Sequence, residues 1–333
     1  MVTAGQQVGS ATLAEIGEQA VIEALTAHLP TATDVLVGPG DDGAVLDVNG
    51  PVVTSVDVLI EDVHFKLGWS DPGAIGRKAV AVNVADLEAM GARATAIVLG
   101  FSAPPQLQLR WVRELAAGLH AECAAAGVSL IGGDVTRSRD LTLSVTVLGG
   151  LDGRAPVLRS GARPGDVVAL RGRTGWAAAG LAVLRRGFRS PRAVVEAQQV
   201  PQVPYGEGAV AARAGATAMV DVSDGLLRDL GHVAVASGVV VDLRRDAFEV
   251  PEPLRAVSAA TGVDPYDLLL GGGEDHALAA TFPADTFPAG TVPAGWRVVG
   301  QVRARGADEP PQVLVDGASW PTVAGWEHFG SGR

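Results

Sequence analysis

The chain has 333 residues, of which 47% are hydrophobic and 19% charged; this composition suits about two globular domains and excludes a disordered protein. The formal net charge of −11 argues against nucleic acid and anionic membranes as partners, because most of the surface would repel them. The single cysteine, Cys123, excludes a disulfide framework. With no signal-peptide pattern and no apolar run of about 18 residues, we expect a cytoplasmic protein.

The first half of the chain alternates helical and strand-like patterns. Apolar residues recur every three or four positions from 12 to 28, which predicts a first helix. A helix over 105–126 is predicted to turn Leu115, Leu119 and Cys123 inward and to end before a glycine. The remaining predictions are a helix over 73–90 and strands over 35–37, 44–46, 52–54, 94–101, 128–131 and 141–148.

A stretch rich in glycine, proline and arginine from 149 to 165 interrupts this pattern and predicts a domain boundary. We therefore predict domains over 1–150 and 151–333. Strands and helices mix in both, so the expected fold class is α/β or α+β with two layered domains. In the second domain the predicted strands cover 167–170, 218–222, 239–243, 278–282, 296–302 and 313–315, and the predicted helices cover 176–186, 209–213 and 226–237.

Acidic residues beside glycine or serine follow many of the predicted strands. One such residue is usually a solvated turn, but strand ends on one side of a sheet face a shared crevice. Carboxylates gathered there would repel each other unless Mg²⁺ and substrate phosphates joined them. The candidates are Asp41, Asp42, Asp57, Asp134, Asp221, Asp224, Glu274 and Asp275, together with Asp86, which shares a helix face with Asn83. Because neither lysine lies in a glycine-rich loop, the sequence predicts an acidic site that recruits polyphosphate through metal ions.

Other motifs favour different functions less well. Residues 38–43 fit the dinucleotide fingerprint GxGxxG, but a strand-like pattern follows instead of a helix, which disfavours a dinucleotide-binding domain. Residues 221–225 resemble a serine hydrolase elbow with Asp221 in place of its first glycine, so Ser223 is a better candidate for binding phosphate or metal. His64 is a further candidate, and Trp326 is either a tail anchor or a platform for a cationic heteroaromatic ring.

An ordered set of motifs along nearly the whole chain resembles the thiamine-monophosphate kinase family, within the superfamily of aminoimidazole-ribonucleotide and selenophosphate synthetases. The motifs lie at 38–45, 57–65, 83–92, 131–134, 159–166, 221–226, 272–275 and 326–329. The early His64-Phe65 pair and the Trp326 ending favour the kinases over their relatives. The resemblance implies the two-domain ATP-binding fold of the aminoimidazole-ribonucleotide synthetase type. In that fold an N-terminal mixed sheet with helices is followed by a C-terminal α/β domain.

The resemblance also implies phosphorylation of thiamine monophosphate to thiamine diphosphate, with ATP as co-substrate and several Mg²⁺ ions. It implies that domain 1–150 binds ATP and Mg²⁺ and forms a homodimer through its sheet, and that domain 151–333 completes the active site. The residues implied to hold Mg²⁺ are Asp42, Ser55, Val56, Asp57, Asp86, Asp134, Asp221 and Asp224. Those implied to bind ATP are Gly133, Asp134, Arg159 and Ser223, and those implied to bind thiamine monophosphate are His64, Glu274 and Trp326.

The chain departs from the family pattern at two places. Val56 stands where the family often has threonine, so a metal bond there would use the backbone carbonyl, and His276-Ala277 replaces a frequent Tyr-Glu pair. We expect direct in-line transfer without a side-chain nucleophile, because a phosphate monoester is already largely ionised at neutral pH. The alternatives are a superfamily member that uses ATP on a different acceptor, a non-catalytic nucleotide-binding protein, and a purely structural subunit.

Overall fold

The computed structural model describes residues 10–27, 29, 33–40, 43–285 and 292–321, so the candidates Asp41, Asp42 and Trp326 lie outside the described residues. The chain divides into two compact units. The first comprises Met1–Leu87 and Arg93–Gly153, and the second comprises Glu88–Ala92 and Arg154–Arg333. Within the described ranges, no helix is both long enough and apolar enough to cross a membrane.

The first unit begins with two short helices, α1 (Leu13–Ile16) and α2 (Glu18–Thr26). The prediction of one continuous helix over 12–28 is wrong. Gly17 separates the two helices with a φ of 77°, a left-handed conformation that glycine adopts without steric cost. A small antiparallel pair of strands follows, β1 (Val35–Val37) and β2 (Val45–Leu46).

A four-stranded mixed sheet forms the centre of the first unit. Its strands are β3 (Val52–Ile60), β4 (Arg93–Ala103), β5 (Ser129–Arg137) and β6 (Thr142–Gly150). They lie in the order β3-β6-β4-β5, with β6 antiparallel to both neighbours and β4 parallel to β5. The predicted mixed N-terminal sheet is therefore confirmed, and β3 and β5 are much longer than their predicted strands.

Two long helices accompany this sheet, α3 (Pro72–Ala89) and α4 (Leu109–Ala126). Their backbones approach closely, since a Cβ added at Gly118 would lie 2.0 Å from the carbonyl oxygen of Gly73. The apolar face predicted for α4 is confirmed, and the helix ends where a glycine adopts a left-handed conformation. The buried residues of that face include Leu115, Leu119 and Cys123.

The two faces of the sheet differ in burial. On the face shared by Ser55 and Asp57, the neighbouring strand β6 presents residues that are fully buried. The opposite face of β3 presents three valines that are 41–55% exposed, which is unusual for a row of β-branched side chains. The buried residues of β6 are Leu143, Val145 and Val147, and the exposed residues of β3 are Val52, Val56 and Val58.

A six-stranded sheet forms the centre of the second unit. Its strands are β7 (Val167–Arg171), β8 (Ala218–Val222), β9 (Val240–Leu243), β10 (Ala277–Phe282), β11 (Arg297–Arg303) and β12 (Gln312–Val315). The order is β12-β9-β11-β7-β10-β8, and only the β12–β9 pair is parallel. Beside the sheet, the buried rings of Phe282 and Trp296 meet edge to face at 5.6 Å.

The helices of the second unit were only partly predicted. They are α5 (Trp176–Arg185), α6 (Arg192–Gln199), α7 (Glu207–Arg213), α8 (Leu226–Ser237), α9 (Glu252–Thr261) and α10 (Pro265–Gly271). The bounds predicted for α8 are confirmed, whereas α6, α9 and α10 are additional. Each of these three begins at or directly after a proline. Pro265 is the first residue of α10, where its fixed φ suits the helix. Both units combine sheets with helices, which confirms the predicted fold class.

The last residues of α3 belong to the second unit because of specific backbone contacts. The Glu88 carboxylate accepts hydrogen bonds from the amides of Gly206 and Gly208 at 2.7 and 2.8 Å, at the start of α7. The Met90 carbonyl accepts a hydrogen bond from the amide of Val157. Burial raises the pKa of Glu88 to about 7, even though the two amide hydrogen bonds oppose this rise.

Candidate active site

The sequence places the acidic candidates at or just past strand ends, and for two of them this prediction is wrong, because Asp57 lies in the middle of β3 and Asp134 lies within β5. Asp221 lies inside β8, whose bounds match the predicted strand 218–222. β5 continues past its predicted end because Gly133 has no side chain. A Cβ there would lie 2.0 Å from the carbonyl oxygen of Leu99, so the glycine permits this close pairing of β4 with β5.

Two contacts join β3 to α3 around the acidic residues of the first unit. The Ser55 hydroxyl donates a hydrogen bond to Oδ2 of Asp86 at 2.6 Å. The backbone amide of Asp57 donates to Oδ1 of Asn83 at 2.9 Å, and the Asn83 amide group donates in turn to the Ala79 carbonyl. The Asn83 side chain is fully buried, and hydrogen bonds at both its oxygen and its nitrogen hold it in place. The structure therefore brings Ser55, Asp57 and Asp86 together.

Val56 lies between these residues but points the other way. Successive side chains in a strand alternate between the two faces, and the Val56 side chain is 55% exposed. It pairs in register with Thr146 of β6. An aliphatic side chain offers no metal ligand, so the carbonyl oxygen is the atom of Val56 that remains a candidate.

Asp134 is not brought to Asp57 within one chain. Asp57 lies in register with Val145, Leu99 and Gly133 across the four strands, so Asp134 falls in the next row and points to the opposite face. β3 and β5 are the two edges of the sheet, about 14 Å apart at three strand spacings. Magnesium–oxygen bonds are about 2.1 Å long, so one ion cannot bind both carboxylates of a single chain.

His64 is held in a tight turn that follows β3. Its Nδ1 accepts a hydrogen bond from the backbone amide of Ile60 at 3.0 Å, and its own amide donates to the Ile60 carbonyl at 2.9 Å. The buried Lys78 ammonium donates to the His64 carbonyl at 3.1 Å. Because Nδ1 is an acceptor, the neutral ring carries its proton on Nε2. His64 therefore presents an N–H donor from its partly exposed ring.

The acidic residues of the second unit lie at the end of β8 and the start of α8. Oδ2 of Asp221 lies 3.0 Å from Nδ1 of His276, and the Asp224 carboxylate lies 3.4 Å from Nε of Arg228. Asp229 accepts hydrogen bonds from the amides of Asp224 and Gly225, both at 3.0 Å. Burial raises the pKa of Asp229 to about 7, and the negative charge of Asp221 adds to this rise.

The loop before β10 packs backbone to backbone against the loop after β8. The amide of Glu274 donates to the Ser223 carbonyl at 2.7 Å, which brings these two candidates together. A Cβ at Gly273 would lie 2.4 Å from the same carbonyl, so only glycine allows the approach. Glu274 and His276 both adopt positive φ values, 70° and 50°. Such strain in non-glycine residues is concentrated at functional sites.

Asp275, between these two residues, has a structural contact. Its Oδ1 accepts a hydrogen bond from the amide of Ala177 at 3.0 Å, in the first turn of α5. The side chain is buried, and burial raises its pKa to about 7. A carboxylate at a helix N-terminus satisfies amides that the helix leaves unbonded. Asp275 therefore anchors the loop to the start of α5, and Glu274 and His276 are its neighbours in the sequence.

Arg159 is not brought to Ser223 within the second unit. Its carbonyl accepts a hydrogen bond from the hydroxyl of Ser237, the last residue of α8. Ser223 precedes the other end of the same helix, and twelve residues of α-helix extend over about 18 Å. The two predicted ATP-binding residues therefore lie at opposite ends of α8.

The donor chemistry of these groups fits Mg²⁺, although the protein supplies few ligands at any one point. Among the described residues, no group of three or more histidine, cysteine, aspartate or glutamate side chains is placed to hold a metal ion. Carboxylate and hydroxyl oxygens, as at Ser55 with Asp86, are hard ligands. Mg²⁺ typically binds through one or two carboxylates, several waters and substrate phosphates. The observed pairs therefore match a metal that arrives with a nucleotide.

Comparisons with known proteins show the family to which this chain belongs. The N-terminal and C-terminal domains of the AIR synthase related protein family match residues 40–151 and 163–309. A protein from Mycobacterium tuberculosis named thiamine-monophosphate kinase is 48% identical over 323 residues, covering 96% of this chain and 94% of its own.

Solved structures are similar over almost the whole chain. A crystal structure of thiamine-monophosphate kinase from Stenotrophomonas maltophilia K279a is 30% identical with a TM-score of 0.75, covering 91% of this chain and 96% of that one. A structure described as AaThiL complexed with AMPPCP and TMP is 26% identical with a TM-score of 0.74, covering 95% and 97%. The chain therefore belongs to the thiamine-monophosphate kinase family, within the AIR synthase related proteins.

Proposed function

We propose that the chain transfers the γ-phosphoryl group of ATP to thiamine monophosphate and so forms thiamine diphosphate. The observation that carries this proposal is the 48% identity to a protein named thiamine-monophosphate kinase, which extends through both family domains. The similar structure with bound AMPPCP, an ATP analogue, and TMP supports the same pair of substrates. The chain's acidic composition and its two lysines support charge neutralisation by metal ions rather than by lysine.

Each unit offers oxygen ligands that would hold Mg²⁺. Ser55, Asp57 and Asp86 are the candidates of the first unit, and Asp221 and Asp224 are those of the second. When bound, the ions would neutralise charge that develops on the transferring phosphoryl group. We propose the roles of the predicted domains accordingly, with ATP and Mg²⁺ bound by 1–150 and the site completed by 151–333.

Transfer would be direct and in line. A phosphate oxygen of thiamine monophosphate attacks the γ-phosphorus, the bond to the β–γ bridging oxygen breaks, and ADP leaves with that electron pair. The attacking phosphate is already largely ionised at neutral pH, so the site needs no strong general base. One direct transfer inverts the configuration at phosphorus. ATP with a chiral γ-phosphate should therefore give inverted thiamine diphosphate, whereas retention would indicate a phosphoenzyme.

His64, Glu274 and Trp326 would bind thiamine monophosphate. The turn around His64 supports a specific contact, because the Nε2–H donor suits an anionic phosphate oxygen. A carboxylate and an aromatic ring suit the cationic thiazolium. ATP would be bound by Gly133, Asp134, Arg159 and Ser223.

The protein would act as a homodimer joined through its N-terminal sheets. The exposed row of Val52, Val56 and Val58 supports this, because a second copy would bury it. The position of Asp134 supports it independently: if Asp134 and Asp57 bind the same Mg²⁺ ion, they come from different copies. We also propose that the protein is cytoplasmic, in keeping with its single buried cysteine.

An acceptor comparison tests the proposed function. Purified full-length chain would be incubated with ATP and Mg²⁺ plus thiamine monophosphate, thiamine or an aminoimidazole precursor, and ADP release would be followed. The proposal expects ADP release that depends on thiamine monophosphate and Mg²⁺. Preference for another acceptor, or nucleotide binding without turnover, would contradict it.

A further inference from the structure

His276 is a buried side chain that makes one defined contact with a candidate metal ligand. Its Nδ1 lies 3.0 Å from Oδ2 of Asp221, and both side chains are only 5% exposed. An ionised carboxylate can only accept hydrogen bonds, so Nδ1 carries the hydrogen in this contact. This holds whether the ring is neutral or protonated, because only the state of Nε2 differs between the two.

The backbone around His276 fixes the direction of its ring. Ala277 and Leu278 pair in register with Val222 and Asp221, and the His276 amide donates to the Val222 carbonyl at 2.9 Å. His276 and Asp221 are thus diagonal neighbours on one face of the β8–β10 pair. The φ of 50° at His276 is costly for a non-glycine residue and is maintained by these contacts.

Asp221 lies close to a second buried carboxylate. The charges of Asp221 and Asp224 both add to the rise in the pKa of Asp229, so these side chains are near enough to interact. The Nδ1–H of an imidazole holds Oδ2 and leaves Oδ1 for a metal ion. Hydrogen bonds of this kind orient metal ligands from outside the coordination sphere.

We propose that His276 is a positioning residue that orients the Asp221 carboxylate for a Mg²⁺–nucleotide complex. This proposal rests on the proposed function only in taking Asp221 as a metal ligand. It assigns no proton transfer and no substrate contact to His276. The structural reason is the geometry of the buried pair, which joins residues 55 positions apart in the sequence.

Two substitutions separate positioning from simple packing. His276→Phe keeps a ring but removes the donor, whereas His276→Asn keeps an N–H donor near the place of Nδ1. Binding of Mg²⁺ with AMPPCP to the full-length chain would be measured by isothermal titration calorimetry. We expect His276→Phe to weaken this binding about tenfold and His276→Asn to stay within about threefold of wild type. The KM for thiamine monophosphate should change by less than about twofold in both.

Controls keep the result interpretable. His232→Phe, at an exposed position of α8 in the same unit, should bind like wild type. Thermal unfolding checks the fold of each variant, and if His276→Phe does not fold, the smaller His276→Leu carries the same expectation. Wild-type affinity in the variant without a donor, or equal losses in the Asn and Phe variants, would overturn the proposal. A wild type that binds Mg²⁺–AMPPCP but never forms thiamine diphosphate would instead contradict only the proposed function.

Discussion

The hydroxyl of Ser55 donates a 2.6 Å hydrogen bond to Oδ2 of Asp86, and this contact joins the edge strand β3 to helix α3. Asp86 is thereby oriented before any cation arrives, with one oxygen engaged and its charge intact. Preorganised ligands cost no rearrangement at the moment of binding. The pair therefore gives the clearest local evidence for an acidic metal site in the first unit.

Removing the charge of Asp86 should cost far more activity than removing its partner. We expect Asp86→Asn to lower kcat at least about 100-fold, because a charged ligand near the phosphates is lost. Ser55→Ala should weaken Mg²⁺ activation about tenfold, because Asp86 keeps its charge but loses its orientation. Steady-state rates across a Mg²⁺ titration measure both. Asp62→Asn, at a side chain 78% exposed, is the control, and equal behaviour of all three variants would contradict the assignment.

Mixed dimers test whether Asp57 and Asp134 act from different copies. Asp57→Asn and Asp134→Asn chains should each be nearly inactive alone. After unfolding and refolding together in equal amounts, about half of the dimers would be mixed, and each would hold one intact site. Activity should then recover to about a quarter of wild type, as measured by ADP release. Recovery of no activity would place both residues in the same copy, and an Asp134→Asn chain that is active alone would assign Asp134 no role.

Replacing glycine by alanine should have opposite effects on stability at two helical positions, because neighbouring atoms crowd one of them and leave the other open. Gly118→Ala should lower the free energy of unfolding by about 1–3 kcal/mol or more, because its Cβ would overlap the Gly73 carbonyl. Gly231→Ala in α8 should raise it by about 0.5–1 kcal/mol, because no atom lies within 4 Å and alanine favours helix. Denaturant unfolding measures both, and a Gly118→Ala variant as stable as wild type would contradict the close packing of α3 against α4.

Because the pKa of Glu88 is raised in the folded chain, we expect the free energy of unfolding to depend on pH. Its pKa is raised from 4.5 to about 7 in the folded chain, so its favourable contribution is complete below pH 4.5 and is lost as pH rises through 7. Glutamine does not titrate. The free energy of unfolding of wild type minus that of Glu88→Gln should therefore fall by up to about 3 kcal/mol between pH 4.5 and 7.5. Denaturant unfolding at several pH values measures this difference, and a constant or rising difference would contradict the burial argument.

Local patterns predicted elements well where periodicity and a stop signal agreed. The bounds of α8 and the inward face of α4 followed from apolar spacing with a glycine at the end. Predictions from glycine as a stop signal are wrong at two places. Gly17 divides a segment whose apolar period predicts one helix, and Gly133 lies inside a strand that is predicted to end before it. The helices that begin at or directly after a proline, α6, α9 and α10, are absent from these predictions.

The site was predictable as a set of residue types but not as a set of contacts. Repeated acidic residues beside glycine or serine indicated acidic oxygen ligands, and Ser55 does contact Asp86. The separation of Asp57 from Asp134 depends on strand order, and the pairing of His276 with Asp221 depends on the β8–β10 register. Neither can be deduced from spacing along one sequence. His276 stood out only as a departure from the family's frequent tyrosine.

The most direct test of the central claim, metal-dependent transfer from ATP to thiamine monophosphate, is to quantify both products in one reaction. Purified chain, ATP and thiamine monophosphate would be incubated with Mg²⁺ or with excess EDTA, and ADP and thiamine diphosphate would be separated and measured. We predict equal amounts of the two products with Mg²⁺ and neither with EDTA. ADP without thiamine diphosphate, or undiminished product in EDTA, would contradict the account.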